Sequence, residues 1–313
     1  MKSPNRSILW FVTASSMVVG TVVIAPIAQA ANGRGANTAG SNSLSPPSQR
    51  PLSINYTVKL EDQLLAILQY LPVSFQPRGS APVTTTTSTT TTTLDPPTST
   101  STSTSTTTTT LAPVTPTILD PAKLQSGSYV WRFRLLEKTL RPLWRVGTNN
   151  VILQGALMNF QLTHNLDTTG TMNSTTWHEL VSAALKHQDD PLAYNYVYVR
   201  QTLPELLKLY VNGKIKYATY VNTGVSSAPT QSGTYPVYER FLTTTMSGTY
   251  PGGGHYSDPG IPWVSYFHGG DALHGFIRSA YGYPQSLGCV EMPFAHAEVL
   301  FPHTPIGTLV TVQ

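Results

Sequence analysis

Cysteine is almost absent from this chain: among 313 residues there is one, Cys289. A lone thiol excludes an intrachain disulfide framework and leaves two roles, a buried structural residue or a reactive nucleophile. A dominant charge of one sign is missing as well. Nineteen Lys and Arg stand against fifteen Asp and Glu, and outside residues 1–30 only 17 of those basic residues remain. A body this close to neutral carries no electrostatic footprint for nucleic acid or for an acidic partner. Metal-ligand spacing is lacking too. His255, His268 and His274 fit neither H-E-x-x-H nor a Cys/His zinc module, so no metal and no cofactor is expected.

What is present divides the chain into stretches of different composition. Lys2 and Arg6, an apolar run from Ile8 to Ile24 and the small-residue site Ala28-Gln29-Ala30 read as a secretory signal. The same apolar run is long enough to stay in the membrane as an anchor. Either way the body is expected to be exported, to the cell wall or another extracytoplasmic place. Residues 31–57, rich in Asn, Ser, Gly and Pro, read as a flexible stalk. Leu60, Leu64, Leu65, Ile67, Leu68 and Leu71 recur at helical spacing and predict an amphipathic helix over 58–71, stopped by Pro72. The tract at 79–120 is mostly Thr, Ser and Pro; it has too little to bury and is expected to be disordered. Trp131, Phe133, Leu135, Leu136, Leu140, Leu143 and Trp144 then predict a helix-rich segment within 121–190. From residue 194 the pattern alternates with period two, broken by Asn212-Gly213, Asn222-Thr223-Gly224 and Ser232-Gly233 turns. That is the pattern of an antiparallel β domain, closed by a strand at 307–312.

The chemistry points to the end of this β domain. Cys289 lies in Ser286-Leu287-Gly288-Cys289-Val290-Glu291-Met292, with His274-Gly275 upstream. A thiol (pKa ~8.5) is mostly protonated near neutral pH, and a histidine (pKa ~6.5) can take its proton and return it to a leaving amine. The small Gly288 lets a substrate carbonyl come close to backbone amides.

These residues, with Tyr196-Val197-Tyr198-Val199, Leu206 to Lys214, Thr219 to Gly224 and Pro229 to Val237, resemble the L,D-transpeptidase (YkuD) family in order and content. The family reads His-Gly, a Gly, then Ser-His-Gly-Cys-x-Arg. Leu287 stands here in place of its second His and Glu291 in place of its Arg, a form that looks like an actinobacterial variant. Arg278 is expected to pair with Glu291. The segments Gly155 to Gln161, Leu166 to Gly170 and Thr176 to Leu180 resemble the second half of a peptidoglycan-binding helical domain. Thr169 and Asn173 replace that family's Asp and Gly, and Asn173 is expected to make the turn with positive φ. The helix within 58–78 resembles the first helix of the same module, which makes the Thr-rich tract an insertion in it.

The resemblances together imply an α+β protein: a small helical module and a mostly antiparallel β catalytic domain at 194–313. They imply Cys289 as nucleophile, His274 as base and acid, and the Gly275 carbonyl orienting the imidazole. The amides of Gly288 and Cys289 are the implied oxyanion donors. Ser286 braces the turn and, with Tyr256, Trp263, Tyr266 and Arg278, is expected to line the substrate site beneath a lid at 245–266. The implied partners are peptidoglycan stem peptides, as acyl donor and acceptor, with cell-wall glycan at the helical module. The alternatives are trimming by water at the same site, or a wall-binding scaffold without activity.

Overall fold

The computed structural model describes residues 56–78 and 123–313. The expected signal or anchor, nearly all of the stalk and the Thr-rich tract lie outside the described residues. Helix α1 (Val58–Ile67) starts at Thr57, whose hydroxyl accepts the Leu60 amide at 3.2 Å. It ends before the Leu71 that apolar spacing suggested. Gln69 enters left-handed backbone at φ 66°, and the Tyr70 amide folds back onto the Leu65 carbonyl at 2.9 Å. Arg132 then binds the carbonyls of Gln69 and Leu71 at 2.6 and 2.9 Å.

Strand β1 (Val73–Pro77) follows and pairs antiparallel with β2 (Gly127–Trp131). Trp131, expected in a helical segment, is therefore on a strand, and helix α2 (Arg134–Leu140) begins after it. Helices α3 (Val151–Thr163) and α4 (Ser174–Leu185) complete the layer. One core joins all four helices: Leu64, Leu65 and Leu68 share it with Leu140, Ile152, Phe160 and Trp177. Buried Gln161 pins the loop between α3 and α4, donating to the Thr171 carbonyl at 3.0 Å and accepting the Gly170 amide at 2.8 Å. Asn173 does not turn with positive φ. It is extended (φ −132°) and caps α4, its side chain accepting the Thr176 amide at 2.8 Å.

Asp62 on α1 is fully buried. One carboxylate oxygen accepts the Gly147 amide at 2.6 Å; the other has no partner among the described residues. Burial pushes this carboxyl up to about 7. A carboxyl with a raised folded pKa stabilises fully below its unfolded value of ~3.9, and that contribution is lost as pH rises through about 7. Asp62→Asn is therefore expected to add about 1–3 kcal/mol at pH 8 and almost nothing at pH 4. Thermal unfolding of both proteins at the two pH values checks this.

Residues beyond 194 form two sheets. The strands are β3 (Asn195–Arg200), β4 (Leu206–Val211), β5 (Lys214–Tyr220), β6 (Gly233–Pro236), β7 (Glu239–Thr249), β8 (His255–His268), β9 (Asp271–Gly275), β10 (Val290–Met292) and β11 (Leu309–Val312); helix α5 (Phe294–Leu300) follows β10. The sheet orders are β5-β4-β3-β11-β6 and β10-β9-β8-β7. Most pairings are antiparallel, but β11 with β3 and β10 with β9 are parallel, so both sheets are mixed. Alternation explains how the first sheet is covered on both sides. Tyr194, Tyr196, Tyr198 and Leu309 pack onto the helical core, while Val197, Val199, Val310 and Val312 face the second sheet. Between β4 and β5, Asn212 and Gly213 both take positive φ (48° and 73°), as a tight hairpin turn requires.

A candidate active site at the paired ends of two parallel strands

Strands β9 and β10 set the site through their register. Leu273 and Val290 are Cα partners and both point into the core between the sheets. The next pair, His274 and Glu291, therefore points to the opposite face, and both line a cleft of about 720 Å³. Cys289, one residue before β10, lines the same cleft. Thus the two residues singled out in sequence line one cavity.

The segment bearing the thiol is braced from behind. The Ser286 hydroxyl donates to the Cys289 carbonyl at 2.5 Å and accepts the Gly288 amide at 3.2 Å. The amides of Gln285 and Ser286 donate to the Thr223 carbonyl at 2.9 and 3.0 Å. Thr223 is itself anchored: its amide and hydroxyl donate to the buried Glu205 carboxylate at 2.6 and 2.7 Å. The neighbouring Asn222 exchanges backbone hydrogen bonds with Glu291, 2.9 Å in both directions. The Asn222-Thr223-Gly224 turn therefore acts as a cradle for the Cys289 loop. Its partner Glu205 was missed in sequence, where a single Glu in a loop carries no periodic signal.

Gly288 has two reasons to be glycine. Its φ is +121°, and a Cβ there would stand 2.3 Å from an Asp271 carboxylate oxygen. Gly288→Ala is expected to destabilise the protein by about 1–3 kcal/mol and displace the thiol, slowing its reaction with an acyl donor by at least about tenfold. Thermal unfolding and acylation kinetics check both parts.

His274 is buried, and its Nδ1 lies 3.0 Å from the Gly275 carbonyl. A carbonyl only accepts, so Nδ1 carries the proton and the neutral ring keeps Nε2 as an unprotonated base. Burial holds the imidazole below its ordinary pKa; the Gly275 bond and Glu291 push the other way, and Arg278 adds to the lowering. The half-buried Cys289 thiol points to the Gly270 carbonyl at 3.6 Å. Burial pushes that thiol up to about 12, with Asp271 and Glu291 adding to the rise and the Ala272 amide opposing it. At neutral pH the thiolate is then scarce, so Cys289 rests as the thiol and His274 as the neutral imidazole. Such a pair can react with a carbonyl only if the proton leaves sulfur as the new bond forms.

Opposite charges meet at the cleft floor. Arg278 holds Glu291 with two hydrogen bonds, Nε at 2.7 Å and Nη2 at 2.8 Å. The Arg278 guanidinium also lies 4.6 Å from the centroid of Phe276, whose ring meets the His274 ring edge-on at 6.0 Å.

The long hairpin β7–β8 forms an arm that contributes Met246, Tyr256, Asp258, Ile261 and Tyr266 to the cleft wall. Tyr256, Tyr266 and Arg278, which the sequence suggests for a substrate site, all line this cleft. Trp263 is not among the lining residues; at φ 53° it packs on Phe294 and the core between the sheets. Ser286 is buried, with its hydroxyl spent inside its own loop, so it braces and does not face the cleft. The Gly288 amide, expected as an oxyanion donor, is engaged by Ser286 in this resting geometry. Asp258 and Asp271 also line the cleft, and the alternation of apolar and polar residues alone did not mark them. Among the described residues, no group of three or more His, Cys, Asp or Glu side chains is placed to hold a metal ion.

Residues 194–312 match the family model of YkuD, the L,D-transpeptidase catalytic domain. Among solved structures, the chain is similar to an L,D-transpeptidase from Mycobacterium smegmatis, at 17% identity over 39% of this chain and 59% of that one, with TM-score 0.35. It is similar to the catalytic domain of the E. faecium L,D-transpeptidase at 25% identity, covering 38% of this chain and 96% of that one, with TM-score 0.35. An L,D-transpeptidase from Mycobacterium tuberculosis matches at 17% identity over 39% of this chain and 58% of that one, with TM-score 0.34. The chain thus spans under two thirds of the length of these two mycobacterial proteins. No curated protein matches. The likeness to the YkuD L,D-transpeptidase catalytic domain is thus carried by residues 194–312.

Proposed function

We propose that this chain is an exported, cysteine-dependent L,D-transpeptidase that crosslinks peptidoglycan stem peptides through a thioester on Cys289. The observation that carries the reading is that one cleft is lined both by Cys289 and by His274, an imidazole whose free nitrogen is Nε2. His274 Nε2 takes the thiol proton as sulfur attacks the carbonyl of the donor's diaminoacid. The same proton then goes to the nitrogen of the departing D-alanine, leaving a thioester. The side-chain amine of an acceptor stem resolves that thioester and restores the thiol, making a crosslink between third residues. The Cys289 amide is the oxyanion donor in this scheme, joined by Gly288 once its bond to Ser286 opens.

The remaining assignments follow from the residues. The charged start, apolar run and Ala28-Gln29-Ala30 deliver the chain outside the membrane, as cleaved signal or as anchor. The helical layer resembles a peptidoglycan-binding module in its order of Gln161, Gly170 and Trp177, and is assigned to the wall glycan. The test is intact-protein mass spectrometry of residues 31–313 after incubation with a carbapenem, beside Cys289→Ala. One covalent adduct on the wild type and none on the variant is the expected result. An inert Cys289 would move the assignment to a wall-binding protein without catalysis.

A further inference from the structure

Three carboxylates and one guanidinium line the cleft. Glu291 is held by Arg278 through both of its oxygens. Asp271 accepts the Gln231 amide at 3.3 Å and lies 3.6 Å from His268. Asp258 is different. It is exposed on the arm, paired in register with Met246, and has no hydrogen-bond or ion-pair partner among the described residues. It nevertheless lines the same cleft as His274 and Arg278. A carboxylate with no ion-pair partner, reachable from solvent and set in the wall of the cleft that holds the base, is a receptor for a cation.

Building on the transpeptidase reading, we propose that Asp258 selects the acceptor: its carboxylate receives the cationic side-chain amine and places that nitrogen beside the thioester. The cleft thereby favours amine over water. The ammonium first gives one proton to solvent. Its neutral nitrogen then attacks the thioester carbonyl, the C–N bond forming as the C–S bond breaks. A second proton passes from that nitrogen through His274 Nε2 to the departing sulfur, which leaves as thiol. Arg278 does not compete for the incoming amine, because it is a cation already bound to Glu291.

The test uses the acyl-enzyme of residues 31–313 formed from a tetrapeptide donor. It offers two acceptors at neutral pH: Nα-acetyl-lysine, which is cationic, and hydroxylamine, which is uncharged. The readout is the partition of the acyl group between amide, hydroxamate and free acid, which does not depend on how fast the acyl-enzyme forms. Asp258→Asn is expected to lower the ratio of lysine amide to free acid about three- to tenfold while sparing the hydroxamate ratio. Asp258→Glu keeps the charge and is expected to restore the lysine ratio. Equal loss with both acceptors, or no loss with either, overturns the inference while leaving the transpeptidase reading intact. Failure of the wild type to form any acyl-enzyme overturns both.

Discussion

Replacing His274 with alanine is expected to slow acylation of Cys289 by about 10²–10⁴ at pH 7. The size of the loss follows from the resting charge state. Burial holds the thiol near 12 and the imidazole below its ordinary value, so no thiolate stands ready without the base. The two proteins should also differ in pH profile. In the wild type, activity needs neutral His274, so the rate falls only as pH drops through the lowered imidazole pKa. Above that point it is flat over the neutral range. In His274→Ala the rate depends on the scarce thiolate and rises with pH toward about 12. Acylation rates from pH 5 to pH 10 check both statements. A flat profile in the variant would mean that another group takes the proton.

Arg278→Ala carries the second large effect. It strips the counter-charge from Glu291, a buried carboxylate paired in register with His274. Removing one partner of such a pair costs about 3–5 kcal/mol when both are buried, and about 2–4 is expected here because Arg278 is partly exposed. The catalytic consequence has a definite sign. Arg278 lowers the imidazole pKa and Glu291 raises it. Without Arg278 the acid limb of the acylation profile therefore moves to higher pH; in Glu291→Gln it moves to lower pH. Opposite displacements in the two variants would mark an electrostatic role, whereas equal losses without displacement would mark a scaffold. Urea unfolding and acylation against pH separate the two.

The legibility of this protein in its sequence follows the range of its interactions. The β3–β5 meander, the Asn212-Gly213 turn and the two-residue alternation are local signals, and all were readable. Cys289 and His274 stand out in sequence because unusual residues occur in a recognisable order, and the Arg278–Glu291 pair is legible because a charge exchange implies it. The β1–β2 pairing was hidden, since the partners are separated by the tract at 79–122 and no local turn joins them. Trp131 therefore carries no local strand signal and falls in a segment that reads as helical. The early end of α1 depended on Arg132, far along the chain, binding the carbonyls of Gln69 and Leu71. Trp263 packs on the core, not in the cleft lining, and aromatic content says nothing about which face a strand turns inward. Asp258 and Glu205 lay outside any periodic pattern; only the folded arm and the Thr223 cradle give them their places.

The most direct test incubates residues 31–313 with a stem tetrapeptide ending in D-alanine and follows the products by mass spectrometry. The account predicts one equivalent of free D-alanine for each acyl transfer, a transient adduct on Cys289, and a dimer joined between third residues. Cys289→Ala should give none of these. Release of D-alanine without any adduct on Cys289, or crosslinked dimer from Cys289→Ala, would contradict it.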